Sequence, residues 1–434
     1  MQRRQKRGIR AELATVGLGV LLLFTSGCEP TPVAEPPHMP PAPAPEEPEV
    51  TEIRVLEPAI QYVDPDPQRG ASAAVVVAGY ALAHTAQLLP LDSQGELVGQ
   101  DSPLQQFAQL LANLEAVLAA VESRIDHLVK VDFFVDSWET AAQIQPRLSE
   151  VWGERVQPAV NWTATPQPVE GVRVSLDAVA TVPDADPDQT ARYRVEDLAG
   201  DANTAHVGVV PRGGAVYFSG HPERGEMAPA TAESLAFLTN MLHEIGLARE
   251  DVVHVRVFLD AMDQADVVRE EIAKAFEGQT IPPITLAHWI SPAPMEIEMI
   301  ASAAPGGSGD ETVRFFTPEG INPSPRFSRA ALVDGGRRIY ISSLYSPEPG
   351  SGEEQVAAIF QTMQSLLEQV GSDLRHLVKA TYYCADDESS RALDLIRDEL
   401  FDPQRPPAAS KVMVTDVSVP ERSIVVDMIA VTPP

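Results

Sequence analysis

Apolar residues return at helical spacing in three places along the chain. Phe107, Leu110, Leu111, Leu114, Val117, Leu118 and Val121 recur three, four and seven positions apart, which sets them on one face of a helix. The same stripe recurs as Val356, Ile359, Phe360, Met363, Leu366, Leu367 and Val370, each 249 positions further on. A blurred version, Leu235, Leu238, Leu242 and Ile245, lies between them. Such stripes face a core rather than a ligand. After each stripe comes an acid-bearing turn and a run of β-branched and aromatic residues that reads as a strand. These runs are RIDHLVKVDFFVD ending at Asp136, REDVVHVRVFLD at Asp260 and DLRHLVKATYYCAD at Asp386. A second helix is predicted after each, over 137–152, 261–277 and 388–400. Val129 to Val253 is 124 residues and Val253 to Val378 is 125, so the chain repeats one α+β unit three times.

A further strand closes each unit: RVSLDAVATV with Asp177, PMEIEMIA with Glu298, and SIVVDMIAV with Asp427. In the middle one, alternation sets Glu296 and Glu298 on one face and Met295, Ile297 and Met299 on the other. Glu296 has Ser175 and Val425 as its equivalents, so Glu298 is the acid that repeats. A carboxylate kept in three divergent copies among Ala, Val, Ile and Met points to a recess. The plainer reading is an acid that ties down a neighbouring loop's amides.

The N-terminal segment follows another pattern. Five basic residues in MQRRQKRGIR precede the apolar run Thr15–Phe24, which is about half the ~20 residues needed to span a bilayer. Residues 1–27 are therefore read as a signal peptide. Thr25-Ser26-Gly27-Cys28 resembles a bacterial lipobox, which makes Cys28 the expected lipidated N-terminus and the membrane, reached through its lipid, an expected partner on the extracytoplasmic side. Residues 28–50 are proline-rich and read as an extended spacer. The units are then placed at 51–182, 195–304 and 313–434. The only other cysteine is Cys384, so no intramolecular disulfide is expected. Lys plus Arg is 32 against 62 Asp plus Glu, a net charge of −30, which argues against a nucleic-acid partner.

The opening HTAQLLPLDSQGELVG, with LLANLEAVLAAV and VKVDFFVD, resembles the RidA (YjgF/endoribonuclease L-PSP) family. FSGHPERGE and ISSLYSPEPGSGEE open the other two copies in register with it. The resemblance implies three tandem chorismate-mutase-like domains, each a mixed sheet with two helices on one face. Because family members are typically trimers with ligand clefts between subunits, it also implies a monomeric intramolecular pseudo-trimer. It further implies a catalytic acid on the last strand, here Glu298, Asp177 or Asp427, with Glu298 having the longest reach. The implied small-molecule contacts fall on Thr85, Ser219 and Ser342 before the turn, on Asn113 in the long helix, on His206 in the first strand, and on Ser410. The family arginine that clamps a substrate carboxylate after a Pro-Ala pair is replaced by Val160, Ile284 and Ala409. Lys411, two residues past Ala409, is the candidate substitute charge.

Two functions remain open. One is a deaminase-type hydrolase that converts an imine or enamine to a carbonyl compound and ammonia. The other is a small-molecule binder or scaffold that has lost the chemistry. His84, His221, His254, His288 and His376 lack metal-ligand spacing, and neither a metal nor another cofactor is expected.

Overall fold

The computed structural model describes residues 59–434 except 154, 184, 186–188, 305–310 and 418. The expected signal peptide, Cys28, the proline-rich spacer and most of the 304–313 connection lie outside the described residues.

Each copy is built from the same parts. The apolar stripes become long helices at Pro103–Ala119, Met227–Glu244 and Gly352–Gln369. Their ends follow from local chemistry. Ser102 and Ser351 cap the first and third with side-chain oxygens, and Glu354 completes a capping box with Ser351. Central strands follow at Leu128–Val135, Val252–Leu259 and Leu377–Cys384. The second helices are Asp387–Leu400, Ala265–Ala275 and, in the first copy, two short pieces, Trp138–Ile144 and Leu148–Trp152. The break in the first copy coincides with Pro146, which turns the chain through a single 3-10 turn between the pieces.

Parallel to each central strand runs a short strand, Ala159–Ala164, Ile284–His288 or Ala408–Met413. Antiparallel on its other side lies the acid strand, Val174–Val182, Met295–Ala303 or Ile424–Val431. The next strand over, Ala81–Thr85, Gly214–Phe218 or Arg338–Leu344, completes the mixed sheet. Helices pack on one face, since Leu110, Leu114 and Val117 join Val131, Phe133 and Val135 in one cluster, with equivalent clusters in the other copies.

The first strand of each copy is placed differently from what a local hairpin would give. Val207–Val210 of the second copy lies antiparallel on Ala81–Thr85 of the first, and Ala330–Val333 of the third lies on Gly214–Phe218 of the second. Ala71–Ala78 of the first copy then closes the circle on Arg338–Leu344 of the third. Every sheet is thus completed by its successor, and the edges that would otherwise stand open are paired. The face opposite the helices encloses one shared interior, where Val129, Val253 and Val378 meet Tyr217, Tyr340 and Ile429. Phe134, Phe258 and Tyr383, at equivalent positions of the three central strands, meet in a second shared cluster.

Candidate functional site

Between the valine and aromatic layers the central strands turn polar side chains inward, around a cavity of about 60 Å³. Asp177, Glu298 and Asp427 all line it. None stands free, because each is paired with a base from the next copy. Lys130 Nζ donates to both oxygens of Asp427 at 2.8 and 2.7 Å, and Lys379 Nζ donates to Glu298. Arg256 Nη2 donates to Asp177 at 3.0 Å and, at the same distance, to Asp132. Thr285 adds a 2.7 Å hydrogen bond to Asp177, and Asn161 a 2.8 Å bond to Asp132.

The pairing rule is regular except in the second copy. Lys130 and Lys379 share their strand position with His254, which burial and the nearby Arg256 and His84 keep neutral, with its pKa well below the usual value. The positive charge has moved two residues along the same face to Arg256. Burial is the largest influence on Asp177 and, with Asp132 beside it, pushes its pKa up to about 7 despite Arg256. On Asp132 burial is outweighed by Lys130 and Arg256, which hold it well below the usual range. This carboxyl pair therefore takes up its proton at Asp177.

Around this axis lie three seams, one for each pair of neighbouring copies, and their matching positions have diverged. The residue two before the repeated acid is Ser175 at the seam of copies one and two, Glu296 at that of two and three, and Val425 at that of three and one. On the facing first strand the backbone bonds of Ser72 to Pro158 and of Ser328 to Pro407 set the register. The residues that follow are Ala73 and Arg329, with His206 at the corresponding place in the second copy. Only the middle seam thus joins an acid to a base at these two positions.

Glu296 is 6% exposed, and its Oε1 has no hydrogen-bond partner among the described residues. Burial, helped by the charge of Glu298, pushes its pKa up to about 7; a hydrogen bond from Ser410 and the charges of Lys379 and Arg329 act against this. Gly220 lets the carboxyl sit there, since a Cβ at that position would collide with Glu296 and Ser410. The Arg329 guanidinium lies over the rings of Phe327 and Phe237, 5.2 and 5.9 Å from their centroids. His221 stacks on the other side chain of this wall, with its ring 3.7 Å from that of Phe237.

Several residues expected to touch a ligand have other work. His84, Tyr217 and Tyr340 pair with Val179, Ile300 and Ile429, each two residues past a repeated acid, so Ala86, Ser219 and Ser342 are equivalent. Thr85 is therefore one position out of the expected register, and its hydroxyl accepts from Ala178 N within its own copy. Ser219 Oγ accepts from Ala409 N and donates to Ser328 O, while Ser342 Oγ accepts from Val160 N and donates to Ser72 O. Both serines fasten a seam. Asn113 Nδ2 is used on Leu89 O and Leu91 O, and His206 holds Val195 N and Ala199 O, although both line a cleft of about 290 Å³ at the first seam. Lys411 is paired with Asp394 at 3.0 Å, which takes it away from the third copy's seam position. Ser410 accepts from Gly220 N and reaches Glu296.

The residues that sequence reading passed over are Glu296, Arg329 and the bases of the axis. A repeated signal marked two of the bases: lysine stands at the same place among the β-branched and aromatic residues of LVKVDFF and LVKATYY. Among the described residues no cluster of His, Cys, Asp and Glu could hold a metal, and no helix is long and apolar enough to cross a membrane.

A family model described as Endoribonuclease L-PSP matches the chain three times, at residues 64–182, 198–303 and 321–432. No curated protein matches in sequence. Among solved structures, the chain is similar to a Rid-family protein of unknown function from Yersinia pestis, with 26% identity and a TM-score of 0.25 over 30% of this chain and 97% of that one. It is also similar to a putative endoribonuclease from Thermotoga maritima, with 24% identity and a TM-score of 0.21 over 28% and 98%. A YjgF-family protein from Neisseria meningitidis gives 21% identity and 0.22 over 28% and 96%.

Proposed function

Because this chain belongs to the endoribonuclease L-PSP family, with three copies covering most of its length, we propose that it hydrolyses small imines or enamines at the seam between its second and third copies. Glu296 is the working carboxyl in this reading. As the carboxylate it accepts a proton from water while the oxygen adds to the C=N carbon. As the acid it returns that proton to nitrogen, giving a carbinolamine, and it then relays the carbinolamine hydroxyl proton to nitrogen in the same way as C=O forms and the C–N bond breaks, leaving a carbonyl compound and ammonia; an enamine enters as its imine tautomer. One observation carries the reading: a buried carboxyl with a pKa near neutrality and one unpartnered oxygen stands beside a half-buried guanidinium. A pKa close to the working pH suits a group that must both take and give a proton. Arg329 steadies the ionised form and offers charge to a polar substrate. It comes from the first strand rather than from the Pro-Ala position, where Ala409 stands.

The repeated acids are unsuited to that task, since Lys130, Arg256 and Lys379 pair with them; Asp177 shares a pKa of about 7, but its carboxyl is already held by Arg256 and Thr285. The signal sequence and the lipobox-like Cys28 support a protein tethered to a membrane on its extracytoplasmic side, and the acidic surface argues against nucleic acid as partner. The exchanged first strands support a monomer whose three copies stand in for a trimer's subunits.

The test is ammonia release from freshly generated 2-imino acids and neutral enamines, followed from mildly acidic to mildly alkaline pH. The expected kcat/KM rises as pH passes through about 7, where Glu296 ionises. Absence of turnover on every imine, or a profile flat through that region, would contradict the proposal.

A further inference from the structure

The seam between the third and first copies holds the largest of the described clefts, about 800 Å³, within the ~300–1,000 Å³ range of small-molecule sites. Its chemistry is opposite to that of the Glu296 seam. Val425 stands where the acid would be, Ala73 where Arg329 would be, and Val160 at the Pro-Ala position. Trp138, Trp162, Tyr345 and Leu344 form its apolar wall, with Gln145, Ser343 and Thr362 as uncharged polar neighbours. Trp162 is held flat by a stack on Phe133, with centroids 4.4 Å apart, so its position is fixed before any ligand arrives. At the cleft wall Ser72 is 2% exposed, and its hydroxyl has no partner among the described residues. The rim carries Asp64 and Asp66, with Arg69 3.7 Å from the second.

We propose that this cleft is a second, non-catalytic site that takes a planar aromatic compound, neutral or bearing an amine, and excludes carboxylates. Flat rings bury large area against tryptophan and tyrosine and gain from offset or edge contact. No base stands at the three matching seam positions, and the one basic residue of the lining, Arg69, sits on the rim 3.7 Å from Asp66, so a carboxylate seated against the tryptophans meets a desolvation cost that an amine near Asp64 does not meet. Duplication within one chain permits this division of labour, since each seam is encoded separately and one can lose its acid without the others doing so.

The experiment is ligand-observed NMR on the full chain with three probes that share one ring: indole, tryptamine and indole-3-acetate. The expected order has tryptamine and indole binding, with the acetate at least about tenfold weaker. Val160→Arg should weaken indole and tryptamine by about tenfold or more and shift preference toward the acetate, because it fills the cleft and supplies the missing charge. Should that variant fail to fold, Trp138→Ala, at a partly exposed position, decides the matter through an expected loss of roughly fivefold or more for indole. Failure of indole and tryptamine to bind, preference of the wild type for the acetate, or affinities unchanged in the variants would each overturn the proposal. Glu296→Gln should leave all three affinities as they are, which keeps the result separate from the fate of the hydrolase reading.

Discussion

A lysine inside a β-strand is costly unless a carboxylate meets it, and Lys130 is met by two. Its ammonium lies 2.7 Å from Asp427 and 3.2 Å from Asp132, in side chains almost wholly removed from water. Removing one member of such a group leaves the others charged and buried, which costs far more than the pair contributes. Lys130→Met should therefore lower stability by about 3–5 kcal/mol, read from urea midpoints, while Lys130→Met with Asp427→Leu should recover much of the loss. Equal destabilisation by the single and double changes would show that packing, not charge, governs the axis. Glu296 presents the contrasting case: it is buried without a full set of partners and is held near its protonation midpoint. Sequence reading weighted the acid that occurs three times, and repetition is what a structural ring requires of its members. In the proposed reading one acid at one seam does the chemistry, so repetition points away from it. Arg329 was hidden for a related reason, because it lies on the first strand of its copy and no motif marks that position.

At the scale of the elements, the seams are fastened by side chains that look like ligand contacts in the sequence. Ser219 satisfies an N–H of the next copy and a carbonyl of its first strand together. Ser219→Ala leaves both buried groups unpaired and should cost about 1–3 kcal/mol, and Ser342→Ala a similar amount. Thermal shifts check this, and unchanged melting in both variants would mean that water takes the vacated places at no cost. The first copy has Ala86 at this position and uses Gln87 instead, whose Oε1 accepts from Leu286 N across the seam. Helices and central strands were legible because their periods of 3.6 and 2 are local properties of the chain. The partner of each first strand was not legible. A short strand that is apolar throughout, such as Ala330–Val333, suits either neighbour equally, and the choice is made by closure of the ring rather than by any residue within it. The early end of the first copy's second helix, by contrast, was written in Pro146.

For the molecule as a whole, exchange of first strands makes the copies interdependent. Each sheet needs a strand from its successor, and the shared interior draws Val129, Val253 and Val378 from all three. The chain should sediment as one compact monomer, and a single copy expressed alone should fail to fold as a monomer, since it would leave an edge unpaired and an apolar face open. Independent folding of one copy, or an obligate trimer of chains, would contradict this. Joining three units in one chain also frees each seam to change separately. A trimer of identical subunits must repeat every substitution three times, whereas here one seam keeps a glutamate and an arginine, one a serine and a histidine, and one only apolar residues. The division between an axis that holds the molecule and a seam that does chemistry is the central claim. Its most direct test is ammonia release by Glu296→Gln and Glu298→Gln under conditions where both variants remain folded. The account predicts that Glu296→Gln loses turnover by about a hundredfold or more, the scale of a general acid/base, while Glu298→Gln keeps it within a few-fold. Turnover that survives the change at Glu296 and vanishes with the change at Glu298 would contradict it.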